Sequence, residues 1–162
     1  MKIKLGDKLP KSELFYIEKD NFVKKVNIQE LCENKKVIIL GMPGAFTKTC
    51  SLLHLPGFIK NYQLALQKGV TQIICIAVND PNVMKAWGES HEVGDKILMV
   101  GDPYLTLTKN IGAEIDKSEK GLGIRSTRYT MLTDNNVVKL LKEEKETAQC
   151  DLTSAEKFLN LI

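Results

Sequence analysis

The sequence has no long hydrophobic run and no apolar segment at its N-terminus. Its longest apolar run, residues 37–42, is far shorter than the roughly 20 residues that cross a bilayer. Residues 1–4 alternate lysine with apolar side chains, whereas the core of a secretory signal is continuously apolar. Both absences favour a cytoplasmic protein without a membrane partner.

The chain also lacks a strong excess of one charge. Its 23 lysines and arginines are balanced by 20 aspartates and glutamates, and the net charge is only +3. Proteins that bind nucleic acids generally concentrate their basic residues in a patch or stripe. The sequence shows no such concentration, so we expect no nucleic-acid partner.

Cysteine is scarce, and the four cysteines at positions 32, 50, 75 and 150 are widely separated. There is no CxxC pair and no cluster of cysteine with histidine, which argues against a structural zinc site and against a dithiol reductase. A chain of this length buries enough apolar surface to fold without disulfides. Any special cysteine must therefore act through its surroundings.

The composition that is present is that of an ordinary globule, with 43% hydrophobic and 27% charged residues. No repeat, low-complexity tract or flexible linker divides the chain, so residues 1–162 are predicted to form one domain. Continuous aliphatic runs at 37–40 and 73–78 are typical of strands buried on both faces of a sheet. The nearly helical apolar spacing at 50–67 indicates a helix that joins two parallel strands.

Further patterns complete an α/β fold with a mixed sheet, helices on both faces and an N-terminal β-hairpin, which is the thioredoxin-like arrangement. Pro56 predicts a kink or local break in the helix at 50–67. The other predicted elements are the hairpin at 14–17 and 22–26, a helix from an Asn27 cap to Glu33, a helix beginning at Asn79-Asp80-Pro81, a strand at 97–100, a helix at 105–111, an antiparallel pair at 128–132 and 137–141 turned by residues 133–136, and a closing helix from a Thr153 cap to Leu161.

Cys50 is predicted to lie where a buried strand has ended and a helix begins, at the end of the segment Pro43-Gly44-Ala45-Phe46-Thr47-Lys48-Thr49-Cys50. Active sites of open α/β sheets are found at this carboxyl edge. A cysteine in the first turn of a helix meets unpaired backbone N–H groups and the positive end of the helix dipole, which favour the thiolate. Cys50 is therefore the candidate nucleophile.

A helix terminus alone is too weak to ionise a thiol at neutral pH. Lowering the pKa of an ordinary thiol from about 8.5 to about 6 requires roughly 3.4 kcal/mol, whereas a helix terminus commonly supplies about 0.3 to 1 kcal/mol. A cation about 4 Å away supplies about 4 kcal/mol at an effective dielectric constant of about 20, and arginine suits this task because it stays charged. Ionisation alone gains only about 30-fold in rate at pH 7, so donors must also orient the substrate and stabilise the leaving group.

The spacing Pro-x-x-x-Thr-x-x-Cys, formed by Pro43, Thr47 and Cys50, resembles the active-site motif of peroxiredoxins. The chain resembles the type II, peroxiredoxin 5 subfamily of the thioredoxin-like superfamily, and the resemblance covers nearly its whole length. The motifs that carry it further are Gly44-Ala45-Phe46-Thr47, His54-Leu55-Pro56-Gly57-Phe58, Val78-Asn79-Asp80, Trp87, Asp102-Pro103 and Gly121-Leu122-Gly123-Ile124-Arg125-Ser126-Thr127-Arg128-Tyr129.

The resemblance implies roles for four residues. Cys50 would attack the peroxide, and Thr47 would hydrogen-bond both sulfur and substrate. Pro43 would shield the pocket, and Arg128 would polarise thiolate and peroxide, which agrees with the need for a cation. Two positions depart from the pattern: Lys48 stands where the subfamily often has proline, and Thr127, at the rim around Arg128, where many bacterial members have tryptophan.

The predicted activity is a thiol-dependent, antioxidant peroxidase. The Cys50 thiolate would attack the O–O bond of hydrogen peroxide or an organic hydroperoxide and become a sulfenic acid. The resemblance implies recycling by glutathione with glutaredoxin or by thioredoxin, a homodimer, and no metal, haem or flavin cofactor. A non-enzymatic alternative is a redox-sensing or holdase-like binding protein on the same fold.

Ordinary explanations also exist for the candidate residues. A free cysteine is commonly a buried structural thiol, and a lone arginine at the start of a strand commonly forms a surface ion pair. The flanking motif decides for function at Cys50, and only the family likeness selects Arg128. His54 could serve as the base of a Cys/His hydrolase or share a metal with Cys50, but a packed or hydrogen-bonded histidine is favoured because no oxyanion hole or further ligand accompanies it.

Different surroundings and roles are expected for the other three cysteines. Cys75 lies in an apolar strand and Cys32 near the end of a short helix, so both are expected in the core. Cys150 precedes the last helix, close to but not at the place where animal peroxiredoxin 5 proteins carry a resolving cysteine. A resolving role for Cys150 stays open, because loop geometry must bring two Cα atoms to about 4.4 to 6.8 Å.

Overall fold

Nine strands and six α-helices form the chain in the computed structural model, which describes residues 1–162. The strands are β1 Glu13–Ile17, β2 Val23–Asn27, β3 Lys36–Met42, β4 Gln72–Ala77, β5 Leu98–Gly101, β6 Glu114–Asp116, β7 Ile124–Ser126, β8 Tyr129–Asp134 and β9 Val137–Glu143. The α-helices are α1 Ile28–Cys32, α2 Leu55–Lys60, α3 Tyr62–Gln67, α4 Pro81–Ser90, α5 Thr106–Asn110 and α6 Ala155–Leu159. A π-helical turn at Cys50–His54 precedes α2, and a 3-10 turn lies at Ser118–Lys120.

Seven of the strands form one mixed sheet in the order β2-β1-β5-β4-β3-β8-β9. β3, β4 and β5 are parallel, whereas β1 and β8 run antiparallel to their neighbours. Parallel neighbours need crossover connections, which the helical segments between β3 and β4 and between β4 and β5 supply. The carboxyl ends of β3, β4 and β5 consequently meet at one edge of the sheet.

Apolar side chains on the two faces of the sheet form two buried clusters. Ile38 and Leu40 belong to one cluster, and Val37 and Ile39 to the other, because successive side chains of a strand point to opposite faces. α2, α4 and α6 contribute to the first cluster, and α1 and α5 to the second. The predicted α/β class, the mixed sheet flanked by helices and the N-terminal hairpin are therefore confirmed.

Two predicted helix starts have the expected caps. The Asn27 side chain accepts the Gln29 N–H at 3.0 Å, and Asp80 accepts the N–H groups of Asn82 and Val83 at 2.8 and 3.1 Å. These carboxylate and amide oxygens satisfy donors that have no partner within the helix. None of the helices combines the length and the apolar character needed to span a bilayer.

The predicted helix at 50–67 is divided into three parts. In the π-helical turn the Leu55 N–H donates to the Cys50 carbonyl, and Pro56, which has no N–H to continue the ladder, follows directly. The predicted local break at Pro56 is this turn. Leu52, one of the apolar residues in the spacing at 50–67, is 64% exposed. A second interruption at Asn61, with φ −97° and ψ 17°, was not predicted.

The closing helix begins later and ends earlier than predicted. Thr153 does not cap it; its N–H and its hydroxyl both donate to Glu144 Oε1 at 2.9 Å, which holds this residue toward Glu144. The Ser154 hydroxyl accepts the Lys157 N–H instead, and the helix ends at Leu159, short of Leu161. The cap is therefore one residue beyond the predicted position.

Two features that follow β5 in the chain were not predicted. β6 and β7 form a separate two-stranded ribbon, which is too short to leave an apolar pattern. The start of α5 is held by the buried carboxylate of Asp102, which accepts the N–H groups of Thr106 and Thr108 at 2.6 and 2.8 Å. Asp102, four residues before the helix, thus satisfies N–H groups that a capping residue would otherwise satisfy.

Candidate active site

Cys50 lies at the sheet edge where the parallel strands end. β3 ends at Met42, a loop follows, and Cys50 is the first residue of the π-helical turn. The Ser51 N–H donates to the Thr47 carbonyl at 2.9 Å, so the loop passes directly into the helical turn. The Cys50 side chain is buried, with no exposed surface in this structure. The structure therefore places Cys50 at the strand, loop and helix junction that the sequence predicted.

Arg128 supplies a cation beside the sulfur. Its Nη2 lies 3.4 Å from Cys50 Sγ, and its side chain is 1% exposed. Nε and Nη2 also donate to the Thr147 carbonyl at 3.2 and 2.7 Å. No carboxylate pairs with Arg128. Its charge is therefore available to stabilise a thiolate on Cys50.

His54 connects Arg128 to the last strands of the fold. Its Nδ1 lies 3.2 Å from Arg128 Nη1, and its Nε2 lies 2.9 Å from Thr130 Oγ1. The Thr130 hydroxyl donates its one proton to the Thr153 carbonyl at 2.9 Å, so it must accept from His54 Nε2–H. His54 Nδ1 is then the acceptor for Arg128, and the ring is neutral.

The charge state of His54 agrees with this geometry. Burial, and secondarily the Arg128 charge, hold the pKa of His54 well below its ordinary value of 6.5. A neutral acceptor can hold the guanidinium in place without cancelling its charge, as a carboxylate would. Both ring nitrogens are engaged, so neither is free to act as the base of a Cys/His hydrolase, in line with the hydrogen-bonded histidine that the sequence favoured.

Replacing His54 with glutamine is expected to make the fold less sensitive to acid. The folded chain keeps His54 neutral, whereas the unfolded chain takes up a proton there as the pH falls below about 6.5. The parent should therefore lose about 1.4 kcal/mol of stability per pH unit below that point, until the folded pKa is reached. Urea unfolding at several pH values measures this loss in parent and variant. His91, the other histidine, is present in both proteins, so its contribution cancels in the comparison. An equal pH dependence of stability in parent and variant would contradict the prediction.

Thr47 and Pro43 are both part of the loop before Cys50. Pro43 directly follows β3 and is buried at the start of the loop. The Thr47 hydroxyl donates to the Gly44 carbonyl at 2.9 Å, and no hydrogen bond joins it to Cys50 Sγ. A hydroxyl has one proton, so the expected donation from Thr47 to sulfur is absent from this structure. Its lone pairs remain open to a proton of the substrate.

Arg125 reaches the same loop and was not singled out from the sequence. Its Nε donates to the Leu122 carbonyl at 2.7 Å, and its Nη1 lies 3.4 Å from both the Pro43 carbonyl and Asn79 Oδ1. Asn79 Oδ1 also accepts the Ala45 N–H at 2.9 Å, which ties the loop to the end of β4. The sequence feature that could have identified Arg125 is its spacing from Arg128, which follows three positions later, beyond the end of β7.

The segment at 144–153 covers Arg128 and carries Cys150. The buried Glu144 carboxylate accepts the N–H groups of Asp151 and Thr153 at 2.7 and 2.9 Å. Thr147 offers its carbonyl to Arg128, and the Thr49 hydroxyl donates to the Ala148 carbonyl at 3.1 Å. The Glu144 carboxylate therefore holds the two ends of the segment together, and the Thr147 and Ala148 carbonyls join its middle to the site.

The remaining cysteines are poor nucleophiles in this structure. Burial raises the pKa of Cys32 to about 11 and raises that of Cys75 well above its ordinary value. Partial burial also raises the pKa of Cys150, an effect that the Thr153 hydroxyl and the Arg128 charge partly offset. All three are expected to be thiols at neutral pH, and a thiol is far less reactive than a thiolate.

Comparison with known proteins gives consistent results over nearly the full length. Residues 4–159 match the model of the Redoxin family. Peroxiredoxin-2C of Oryza sativa subsp. japonica is 41% identical over 160 residues, which cover 99% of this chain and 98% of the relative. Reduced Prx3 of Vibrio vulnificus in complex with hydrogen peroxide superposes with a TM-score of 0.92 and 39% identity over 98% of each chain. The antioxidant protein of Plasmodium falciparum, a 1-Cys peroxiredoxin, does so with a TM-score of 0.92 and 26% identity over 98% of each chain.

Proposed function

This chain belongs to the Redoxin family and is a thiol peroxidase of the peroxiredoxin kind, and we propose that Cys50 is its peroxidatic cysteine. The predicted family, enzyme class and thioredoxin-like fold are confirmed. The observation that carries the proposal for Cys50 is the contact between its buried sulfur and Arg128 Nη2 at 3.4 Å. No other cysteine of the chain has a guanidinium at hydrogen-bonding distance.

The first half-reaction consumes the peroxide. The Cys50 thiolate attacks one oxygen of the O–O bond, an S–O bond forms, and the second oxygen departs with the electron pair. Arg128 stabilises the negative charge first on sulfur and then on the departing oxygen, which takes up a proton and leaves as water or alcohol. The Thr47 hydroxyl orients the peroxide by accepting its proton in a hydrogen bond, and Pro43 backs the loop that carries both residues.

The second half-reaction restores the thiol, and an external thiol is the reductant that best fits this site. Peroxiredoxins are reduced by thiols, and the choice here lies between glutathione with glutaredoxin and thioredoxin. Cys150 is held in the segment that Glu144 fixes, and its raised pKa keeps it protonated. Cys150 therefore has a smaller thiolate fraction than a free thiol, and glutathione is expected to react with Cys50 before Cys150 does. A solved relative from Plasmodium falciparum is described as a 1-Cys peroxiredoxin.

Replacing Cys150 with serine is expected to keep most of the peroxidase activity supported by glutathione and glutaredoxin. Mass spectrometry after one equivalent of peroxide and then glutathione should show one glutathione adduct, located on Cys50. Cys32→Ser is the matched control, because Cys32 is buried and remote from the proposed chemistry. A stoichiometric disulfide between Cys50 and Cys150, with activity lost in Cys150→Ser, would instead establish a two-cysteine mechanism and favour thioredoxin as the reductant.

The assembly and the location of the protein are further parts of the proposal. A homodimer is supported by large apolar side chains that remain exposed in the loop before Cys50, after β5 and in β7, namely Phe46, Tyr104 and Ile124. Sedimentation equilibrium tests this association. A cytoplasmic location is supported by reducing conditions there, which suit four free cysteines.

Turnover distinguishes the enzyme from a redox sensor on the same fold. A peroxidase consumes hydrogen peroxide in the presence of dithiothreitol far faster than dithiothreitol alone does, whereas a sensor, whose cysteine is oxidised slowly, adds little to that rate. Sustained consumption by the parent protein is the expected result.

A further inference from the structure

Arg125 is a second guanidinium beside the reactive cysteine's loop, and it has no acidic partner. None of the ion pairs in the protein includes it. Its Nε and Nη1 contact only neutral oxygens, which belong to Leu122, Pro43 and Asn79. Burial without a compensating charge lowers the pKa of Arg125 from its ordinary value. A partly buried cation of this kind is stabilised when an anion binds to it.

The side chain is positioned so that part of the guanidinium stays available. Nε and Nη1 are directed into the protein, while Nη2 makes no hydrogen bond to any protein atom. The protein therefore fixes the orientation of the group and leaves the two donors of Nη2 to a ligand. A single fixed guanidinium of this type matches the planar, singly charged carboxylate group.

Gly44 brings Arg125 close to the pocket. A Cβ atom at Gly44 would lie 2.8 Å from Arg125 Nη1 and 3.3 Å from the Thr47 methyl group, so guanidinium and Thr47 pack against the same glycine. The Thr47 carbonyl in turn accepts the N–H of Ser51, the residue after Cys50. A carboxylate on Arg125 Nη2 would consequently lie beside the loop that carries Thr47 and leads into Cys50.

We propose that Arg125 binds a carboxylate of the small thiol that reduces Cys50, and so selects anionic thiols such as glutathione in the recycling step. This inference rests on the proposed function. The thiol attacks the sulfenic sulfur of Cys50, an S–S bond forms, the S–O bond breaks, and the oxygen leaves as water. A second thiol then attacks the outer sulfur of the mixed disulfide, which releases the disulfide of the two small thiols and the Cys50 thiol.

A matched pair of thiols tests the inference. N-acetylcysteine and N-acetylcysteine amide differ only in the carboxylate, and their rates of reaction with the Cys50 sulfenic acid are compared at equal thiolate concentration. The parent should react about tenfold faster with the carboxylate form, which is the effect of one charge-assisted hydrogen bond. Arg125→Gln should react with the two thiols at equal rates, while Arg125→Lys should keep part of the preference.

The control variant is Lys48→Gln, which removes an exposed cation from the same loop. An equal loss of preference in Lys48→Gln would show a general effect of charge and overturn the assignment to Arg125. So would an Arg125→Gln variant that keeps the parent's preference, or that slows both thiols alike.

A hydroperoxide is the other small molecule that could bring a carboxylate to this position. A fatty-acid hydroperoxide and its methyl ester therefore form a second matched pair, measured in the oxidation of Cys50. A preference lost only in this arm of Arg125→Gln would keep the carboxylate site but overturn its assignment to the reductant. Hydrogen peroxide has no carboxylate and tests the proposed function separately: failure of the parent to react with it would refute the peroxidatic role of Cys50, not the carboxylate site.

Discussion

Cys50→Ser is expected to abolish peroxide consumption, with a loss of about 10³-fold or more, because a serine hydroxyl without an adjacent base stays protonated and is a weak nucleophile. The fold should be retained, since serine is nearly isosteric with cysteine and the new hydroxyl can hydrogen-bond Arg128. Peroxide consumption with dithiothreitol as reductant measures the loss, and circular dichroism verifies the fold.

Cys75→Ser is the matched control for this result. Cys75 is also fully buried and belongs to the same apolar cluster as Cys50, but no arginine contacts its sulfur. The control should lose some stability and keep its peroxidase activity. If Cys50→Ser consumed peroxide at the parent rate, another residue would have to be the nucleophile.

Arg128→Met is expected to slow the oxidation of Cys50 by about 10²-fold or more, which is the usual effect of removing one donor to a developing oxyanion. The loss should have two parts. One is a smaller thiolate fraction at neutral pH, and the other is poorer orientation of the peroxide and weaker stabilisation of the departing oxygen. The change also leaves His54 Nδ1 and the Thr147 carbonyl without their donor, so the stability of the variant must be measured alongside.

Two reactions of the same sulfur separate these parts. Alkylation by iodoacetamide reports mainly how much thiolate is present, whereas oxidation by hydrogen peroxide also depends on orientation. Trp87, the only tryptophan, hydrogen-bonds Ser51 next to Cys50 and can report the oxidation by its fluorescence. At a pH high enough to ionise all of the sulfur, alkylation should return to the parent rate while oxidation stays slow. Recovery of both rates would restrict Arg128 to ionising the thiol.

Arg128→Lys is the matched variant for the geometry of the group. Lysine keeps the charge but not the fork of donors that contacts Cys50, His54 and Thr147 together. It should restore alkylation at neutral pH more fully than it restores oxidation.

Local patterns in the sequence were sufficient for the strands of the main sheet and for the position of Cys50. Strands such as β3 and β4 are buried on both faces and leave continuous aliphatic runs, and Asp80-Pro81 identifies the start of α4. The same patterns failed where a non-local contact decided the outcome. Thr153 was predicted to cap the last helix, and only the distant Glu144 carboxylate explains why Ser154 does so.

The arrangement around the sulfur could be predicted only in part. Cys50 and His54, four residues apart, form a pair that could be recognised locally. Arg128 and Thr130 form a second pair, with Arg128 just before β8 and Thr130 within it. The contacts between the pairs depend on the pairing of β3 with β8, which the sequence does not specify. The resemblance to peroxiredoxins selected Arg128, but it did not indicate that Arg125 approaches the same loop.

The hydrogen bond from Arg128 to residue 147 determines which sequence changes the segment at 144–153 can tolerate. The acceptor is a main-chain carbonyl, so almost any side chain at position 147 would leave it in place. An insertion or deletion between Glu144 and Asp151 would instead move that carbonyl, because the Glu144 carboxylate fixes the far end of the segment. Among relatives that share this arrangement, the spacing of the segment should therefore be kept more strictly than the identity of its residues.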